Sequence, residues 1–303
     1  MPALRGIWLK STPMIDVLIP AIEKDLGTLP YVIDNVRRFV QHPIGRIYIV
    51  SPSSSKIKQL CSRKNCVFID ETTVLPITKK DINYQSSRWN RSGWLYQQLL
   101  KMNADHYVKA SHFLVLDADT VLIKPHSFFE DGKTVFYCRD WSQPEYFNTY
   151  RKLLGMKAPR PRSFVTHYMM FEKSKLTALK KKIEAIHHIP WYKAIIRSID
   201  KKKQFGFSEY ETYANHLYTL NSGSMLLRSA KNKSLNMNAA DLTEEEMLKL
   251  AREYRSISFH KRKIYSKPPG EGEAAMNAKA VLRRRRMRSK APKQLLSRHH
   301  YTP

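Results

Sequence analysis

Acidic residues are scarce in this chain. Asp and Glu number 26 against 53 Lys and Arg, a formal net charge of +27 over 303 residues. A surplus of that size points to acidic partners: anionic lipid, nucleic acid or phosphorylated substrate. Part of it is local. Residues 261–303 hold thirteen Lys and Arg against two Glu, which leaves +16 on residues 1–260. Cysteine is sparse too. Cys61, Cys66 and Cys138 make no disulfide framework and suit a reducing compartment. Cys61 and Cys66 lack the second pair that a zinc site needs. No apolar run approaches the roughly 18 residues of a membrane span. Residues 1–10 lack an apolar core long enough for a signal peptide. A cytoplasmic protein is expected, with the inner face of the membrane open to it through the basic tail. Nor does a glycine-rich phosphate loop follow the first apolar stretch, which argues against a Rossmann dinucleotide site.

Hydrophobic residues make up 42% and aromatics 11%, the composition of a globular chain with ample core. Residues 14–20 read as a first strand ended by Pro20, and 21–29 as the loop at its carboxyl end. Residues 30–40 form a helix opened by Pro30, 46–50 a second strand stopped by Ser51-Pro52, 55–61 a short helix, and 66–70 a third strand. Strand, helix, strand, helix, strand is the pattern of a parallel sheet flanked by helices.

The stretch that organises the chain is His112-Phe113-Leu114-Val115-Leu116-Asp117-Ala118-Asp119-Thr120. An apolar run of this kind suits a central strand covered on both faces. In extended geometry the carboxylates two apart point the same way and repel each other unless a cation lies between them. Ala118 is small and leaves the backbone open to a ligand. Oxygen ligands suit magnesium or manganese, ions that keep positions open for phosphate oxygens. Three readings compete: a plain strand end, a phosphatase of the haloacid-dehalogenase kind, and a nucleotide-sugar glycosyltransferase.

Arg88 and Arg91 precede a helix over 92–102, for which Ser92 can serve as cap. The helix N-terminus favours anions, so the two arginines and Trp94 read as a diphosphate clamp, against solvated arginines and a core tryptophan. Lys101 lies on the same helix. Residues 133–138 and 163–171 read as further strands, with His167 in the second. The aromatics of 141–154 suit either sugar stacking or core. Residues 176–186 form a basic amphipathic helix whose Lys180, Lys181 and Lys182 read as a solvated face or as an edge towards polyanion or membrane.

Taken in order, Ile19-Pro20-Ala21 with Glu23-Lys24-Asp25, Ser92-Gly93-Trp94 with Gln97 to Lys101, Leu116-Asp117-Ala118-Asp119-Thr120, and Phe207-Ser208-Glu209-Tyr210-Glu211 form a series. It resembles a largely uncharacterised bacterial family of GT-A-type glycosyltransferase-like proteins over roughly residues 14–262. The resemblance implies a GT-A fold: a Rossmann-like, mixed and mostly parallel α/β sheet flanked by helices. It also implies a nucleotide-diphosphate sugar as donor and a divalent metal. Asp117 and Asp119 would hold the metal. Arg88, Arg91 and Lys101 would add positive charge at the diphosphate. Pro20, Ala21 and Ser51 would border base and ribose. Many such enzymes take a further ligand from a late histidine, for which His260 is the candidate beside its reading as a surface residue; imidazole suits manganese better than magnesium.

Ser208 is a good helix cap, with Glu211 placed to complete a capping box. Glu209 is then the better candidate to meet the acceptor hydroxyl as general base, and His167 and Glu211 are candidates for contact with a saccharide or glycolipid acceptor. Pro268-Pro269-Gly270 marks the end of the catalytic domain, placed at 1–265, and a basic tail follows over 266–303. The phosphatase reading weakens because about a hundred residues precede the acid pair and no later acidic pair follows. A nucleic-acid or polyanion binder remains the rival from another class; its binding would fall steeply with salt and survive loss of Asp117.

Overall fold

The structure, a computed structural model, describes residues 12–259. The basic tail and His260 lie outside the described residues. Five strands form the main sheet: β1 (Ile15–Pro20), β2 (Ile44–Ser51), β3 (Val67–Asp70), β4 (His112–Leu116) and β8 (Tyr168–Glu172), in the order β3-β2-β1-β4-β8. All neighbours run parallel except β4 and β8. β1 is buried at every residue, because both faces are covered. Side chains alternate across it. Val17 and Ile19 join Leu114 and Leu116 in one core, under α1 (Leu29–Phe39) and α2 (Ser55–Arg63). Leu18, Phe113 and Val115 join the other, under α3 (Ser92–Met102), α4 (Pro144–Leu154), α5 (Lys173–His187), α6 (Trp191–Ser198) and α7 (Glu209–Asn221). Period-two alternation in a fully apolar strand is what lets one sheet seed two cores.

One buried charge is purely architectural. Asp16, in β1, accepts backbone N–H bonds from Arg46 at 2.8 Å, Lys109 at 2.7 Å and Ala110 at 2.9 Å. It ties the amino ends of three strands together. Gly45 is required beside it, since a Cβ there would stand 2.6 Å from Asp16 Oδ1.

Two small sheets extend the body. β5 (Thr120–Leu122) pairs antiparallel with β11 (Ser256–Phe259), which pairs parallel with β10 (Asn232–Leu235). β7 (Lys133–Cys138) lies between β6 (Phe129–Glu130) and β9 (Met225–Ser229). α8 (Glu244–Ala251) is capped by Thr243 with Glu246 completing a capping box. No helix among the described residues is long and apolar enough to cross a membrane.

Several local expectations change. Ser92 is the first residue of α3 rather than its cap, and its hydroxyl ties the helix to Ile82 and Tyr84. The strand expected from 163 begins at 168, because residues 163–167 are drawn into side-chain contacts instead. Lys180 is not solvated: it is 3% exposed, paired with Asp105, and its ammonium is held below its usual pKa by burial. The loop after β1 contains a short 3-10 helix, Glu23–Gly27.

Candidate active site

The main sheet reverses direction of growth at β1. β2 and β3 lie to one side of it, β4 and β8 to the other. In an open α/β sheet the crevice for a ligand forms at such a point, outside the carboxyl ends of the strands. Two loops border it here: residues 21–28 after β1, and Asp117-Ala118-Asp119 after β4.

The acid pair converges, though not by strand geometry. β4 stops at Leu116 and the triplet forms a turn in which Thr120 N–H donates to Asp117 C=O at 3.1 Å. Two neighbours fix that turn. Asp117 N–H donates to His167 C=O at 2.9 Å, and Phe259 N–H to Asp119 C=O at 2.8 Å. Antiparallel pairing of Leu116 with Tyr168 brings His167 opposite Asp117. Its Nδ1 lies 3.3 Å from Asp117 Oδ2. Asp117, Asp119 and His167 thus offer three ligand atoms within 4.8 Å of one another, all half-buried. Two ligands at right angles about 2.1 Å from one ion stand about 3 Å apart, close to the His167–Asp117 separation. Ala118 is buried in the core beneath.

A buried cation occupies the other oxygen of Asp117. Lys101 Nζ is 2.7 Å from Asp117 Oδ1 and 2.9 Å from Glu209 Oε1, with only 4% of its side chain exposed. It also lies over the Tyr210 ring, 4.8 Å from its centroid. Burial alone would lower its pKa, but Asp117 and Glu209 outweigh burial and hold the ammonium well above its usual range. Burial likewise pushes the Asp117 carboxyl up, and Lys101 and His167 together reverse this and hold it low. Burial dominates at Glu209, whose pKa is raised. α3 and α7 are tied a second time where Glu209 N–H donates to Gln98 at 3.2 Å. Asp25, in the loop after β1, has its pKa raised by burial and by repulsion from Asp119 and Asp117. Asp25, Asp117 and Asp119 thus share the crevice with the buried Lys101 ammonium.

The remaining candidates are distributed as follows. Glu209 is 3% exposed and bound to Lys101, so the carboxylate expected to meet the acceptor stands behind the acid pair and holds Lys101. Glu211 N–H does donate to the Ser208 cap, but its carboxylate does not close a capping box. Instead Oε1 accepts from Ser142 at 2.6 Å, Ser163 at 2.9 Å and Phe164 N–H at 3.2 Å, and Oε2 from Asn215 at 2.9 Å. Lys101 faces Asp117, Glu209 and Tyr210 rather than open solvent. Arg91 stacks on Phe205 and Trp94, at 4.7 and 5.7 Å from the ring centroids, and Trp94 packs against the core. Arg88 is exposed in the turn before α3. Pro20 pairs in register with Val50, Ala21 N–H donates to Val50 C=O at 2.9 Å, and Ser51 is buried next to them. Asp25 lies in the loop expected at the carboxyl end of β1, whereas His167, a candidate for acceptor contact, stands beside Asp117 in the candidate metal cluster because β8 pairs with β4.

No curated protein matches the sequence. Among solved structures, the chain is similar to galactosyltransferase LgtC in complex with donor and acceptor sugar analogues, at 13% identity and TM-score 0.44, covering 81% of this chain and 87% of that one. It is similar to the bifunctional glycosyltransferase WbbM, at 13% identity and TM-score 0.45, over 85% of this chain and 47% of that one. It is also similar to mouse xyloside xylosyltransferase 1, at 12% identity and TM-score 0.44, over 81% and 97%. A family model matches residues 15–254, and the chain belongs to that family, the family of unknown function DUF6492.

Proposed function

We propose that this protein is a GT-A-type glycosyltransferase that moves a sugar from a nucleotide-diphosphate donor to an acceptor hydroxyl with the help of a divalent metal. One observation carries the reading: two carboxylates and an imidazole converge at the carboxyl end of β4, in the crevice where the sheet changes direction. The donor set fits manganese or magnesium, the imidazole favouring manganese. Asp117 Oδ2, Asp119 and His167 would hold the ion, and His260 follows β11 in the chain as a further candidate. Such an ion neutralises charge that builds on a departing diphosphate.

The protein's own groups arrange the rest. Lys101 fixes Asp117 through Oδ1 and leaves Oδ2 turned to His167. Glu209 fixes Lys101 from behind. Pro20, Ala21 and Ser51 close β1 and β2 beneath the place where base and ribose would rest, and Arg88 and Arg91 carry positive charge at the approach to α3.

Thermal shift with nucleoside diphosphates, with and without manganese, tests this. The expected result is a rise in Tm that requires nucleotide and metal together and disappears in Asp119→Asn. A nucleotide shift that ignores both metal and substitution would overturn it. Binding to polyanions through charge alone is told apart by its steep fall with salt and its survival in Asp117→Ala.

A further inference from the structure

Two cavities adjoin at Phe147 and Arg160, and the acid pair lines neither. The larger, about 490 Å³, is bordered by Asp140, Ser142, Ser163, Arg160 and Arg162. The smaller, about 270 Å³, is bordered by Asn148, Arg151, Lys157 and Arg160. Arg162 pairs with Asp140 at 2.9 Å. Among the described residues, no carboxylate forms an ion pair with Arg151, Lys157 or Arg160. We infer that these neighbouring cavities hold the charged end of the acceptor, a phosphate or carboxylate carried on a saccharide. The inference rests on the transferase reading and names the substrate class it would use.

Arg160 carries the argument. Its φ is +55°, a left-handed conformation that side-chain-bearing residues seldom adopt. Asn215, on α7, holds it there by accepting its N–H at 2.9 Å. The guanidinium lies over the Phe147 ring, 3.9 Å from the centroid, which fixes its plane. A left-handed backbone and a ring-stacked head group thus hold one arginine where it lines both cavities. A planar guanidinium held this way suits bidentate contact with phosphate or carboxylate. The larger cavity falls within the size range of small-ligand pockets.

The cavities are wired to the acid pair. Ser142 and Ser163 both donate to Glu211, two residues after the Glu209 that holds Lys101. Ser163 and His167 belong to one short segment. A group seated at Arg160 therefore stands on the same helix and loop that arrange the metal cluster.

Ligand-observed NMR on the full chain tests the inference, at physiological salt with a chelator present. The probes are glucose 6-phosphate, glucuronate, inorganic phosphate and glucose. The expected result is binding of the three anions, mutual competition among them, and no binding of glucose. The double variant Arg151→Gln, Arg160→Gln should weaken anion binding at least tenfold. A variant that loses equal charge elsewhere, Arg63→Gln with Lys133→Gln, should not. A stronger response to glucose 6-phosphate than to glucuronate identifies phosphate as the preferred group, and the reverse identifies carboxylate. Glucose binding as well as its phosphate, or equal loss in both double variants, or no loss in the first, overturns the inference. Asp119→Asn separates the two readings: it should abolish metal-dependent nucleotide binding and leave anion binding intact.

Discussion

Lys101 Nζ lies 2.9 Å from Glu209 Oε1, and each of these side chains is 4% exposed. The same ammonium reaches Asp117 at 2.7 Å. One buried cation thus serves two carboxylates on different elements, the turn after β4 and the first residue of α7. Removing one partner of a buried pair costs more than the pair contributes, because the other charge stays behind. Lys101→Met should lower the unfolding free energy by about 3–5 kcal/mol in urea denaturation. Adding Glu209→Gln should restore part of the loss. A double variant no more stable than the single one would sink this account of Lys101.

His167 shares the acid pair's turn through its backbone and faces it through its ring. His167→Ala should weaken manganese binding about tenfold or more in isothermal titration, while far-UV circular dichroism stays unchanged. Unaltered affinity would remove His167 from the ligand set.

Stability should decline on the acid side of neutrality. Burial, with the charge of Lys182 adding, pushes His216 down to about 4, and burial does the same at His126. A depressed folded pKa means the unfolded chain binds the proton first. The contribution is complete above about 6.5 and is lost as pH falls towards 4, with a slope approaching about 1.4 kcal/mol per pH unit for each group. Urea midpoints between pH 7.5 and 4.5 should show this slope, and His216→Leu should flatten it. An unchanged slope in the variant would assign the acid limb to other groups.

Gly45 and Gly27 make a controlled pair. A Cβ at Gly45 meets Asp16 Oδ1 at 2.6 Å, whereas one at Gly27 meets nothing within 4 Å. Gly45→Ala should cost about 1–3 kcal/mol through displacement of a carboxylate that three backbone amides depend on. Gly27→Ala should be neutral or slightly stabilising. Equal effects in thermal denaturation would deny Asp16 its part in joining the strands.

What could be read from the sequence was what depends on neighbours along the chain. Buried runs such as Val17-Leu18-Ile19 and Phe113-Leu114-Val115-Leu116 announce central strands by composition alone. The cap at Ser208 is equally local. β5, β9 and β10 escape notice because they are short and draw their hydrogen bonds from partners distant in sequence. Lys180 looked like part of a solvated basic face because nothing adjacent reveals Asp105 beneath it. At the site, Asp117 and Asp119 were visible as a motif. His167 was visible as a histidine in an apolar stretch and a candidate for acceptor contact, but its place beside Asp117 follows from β8 pairing with β4 in reverse. Glu209 and Glu211 were sorted by an expected capping box. The structure sorts them by partner instead: Lys101 for one, the serines of two loops for the other.

The opening turns of α7 act as a gauge. Glu209 at one end steadies the acid pair, and Asn215 at the other steadies Arg160. Six residues at 1.5 Å each put them about 9 Å apart along the axis. A helix resists stretching, so the interval between the two anchor points is set by covalent geometry and not by loop slack. Adding or deleting one residue between them would swing one anchor about 100° round the axis. On the acceptor reading proposed above, this interval would sort molecules by their length, measured against a fixed rod.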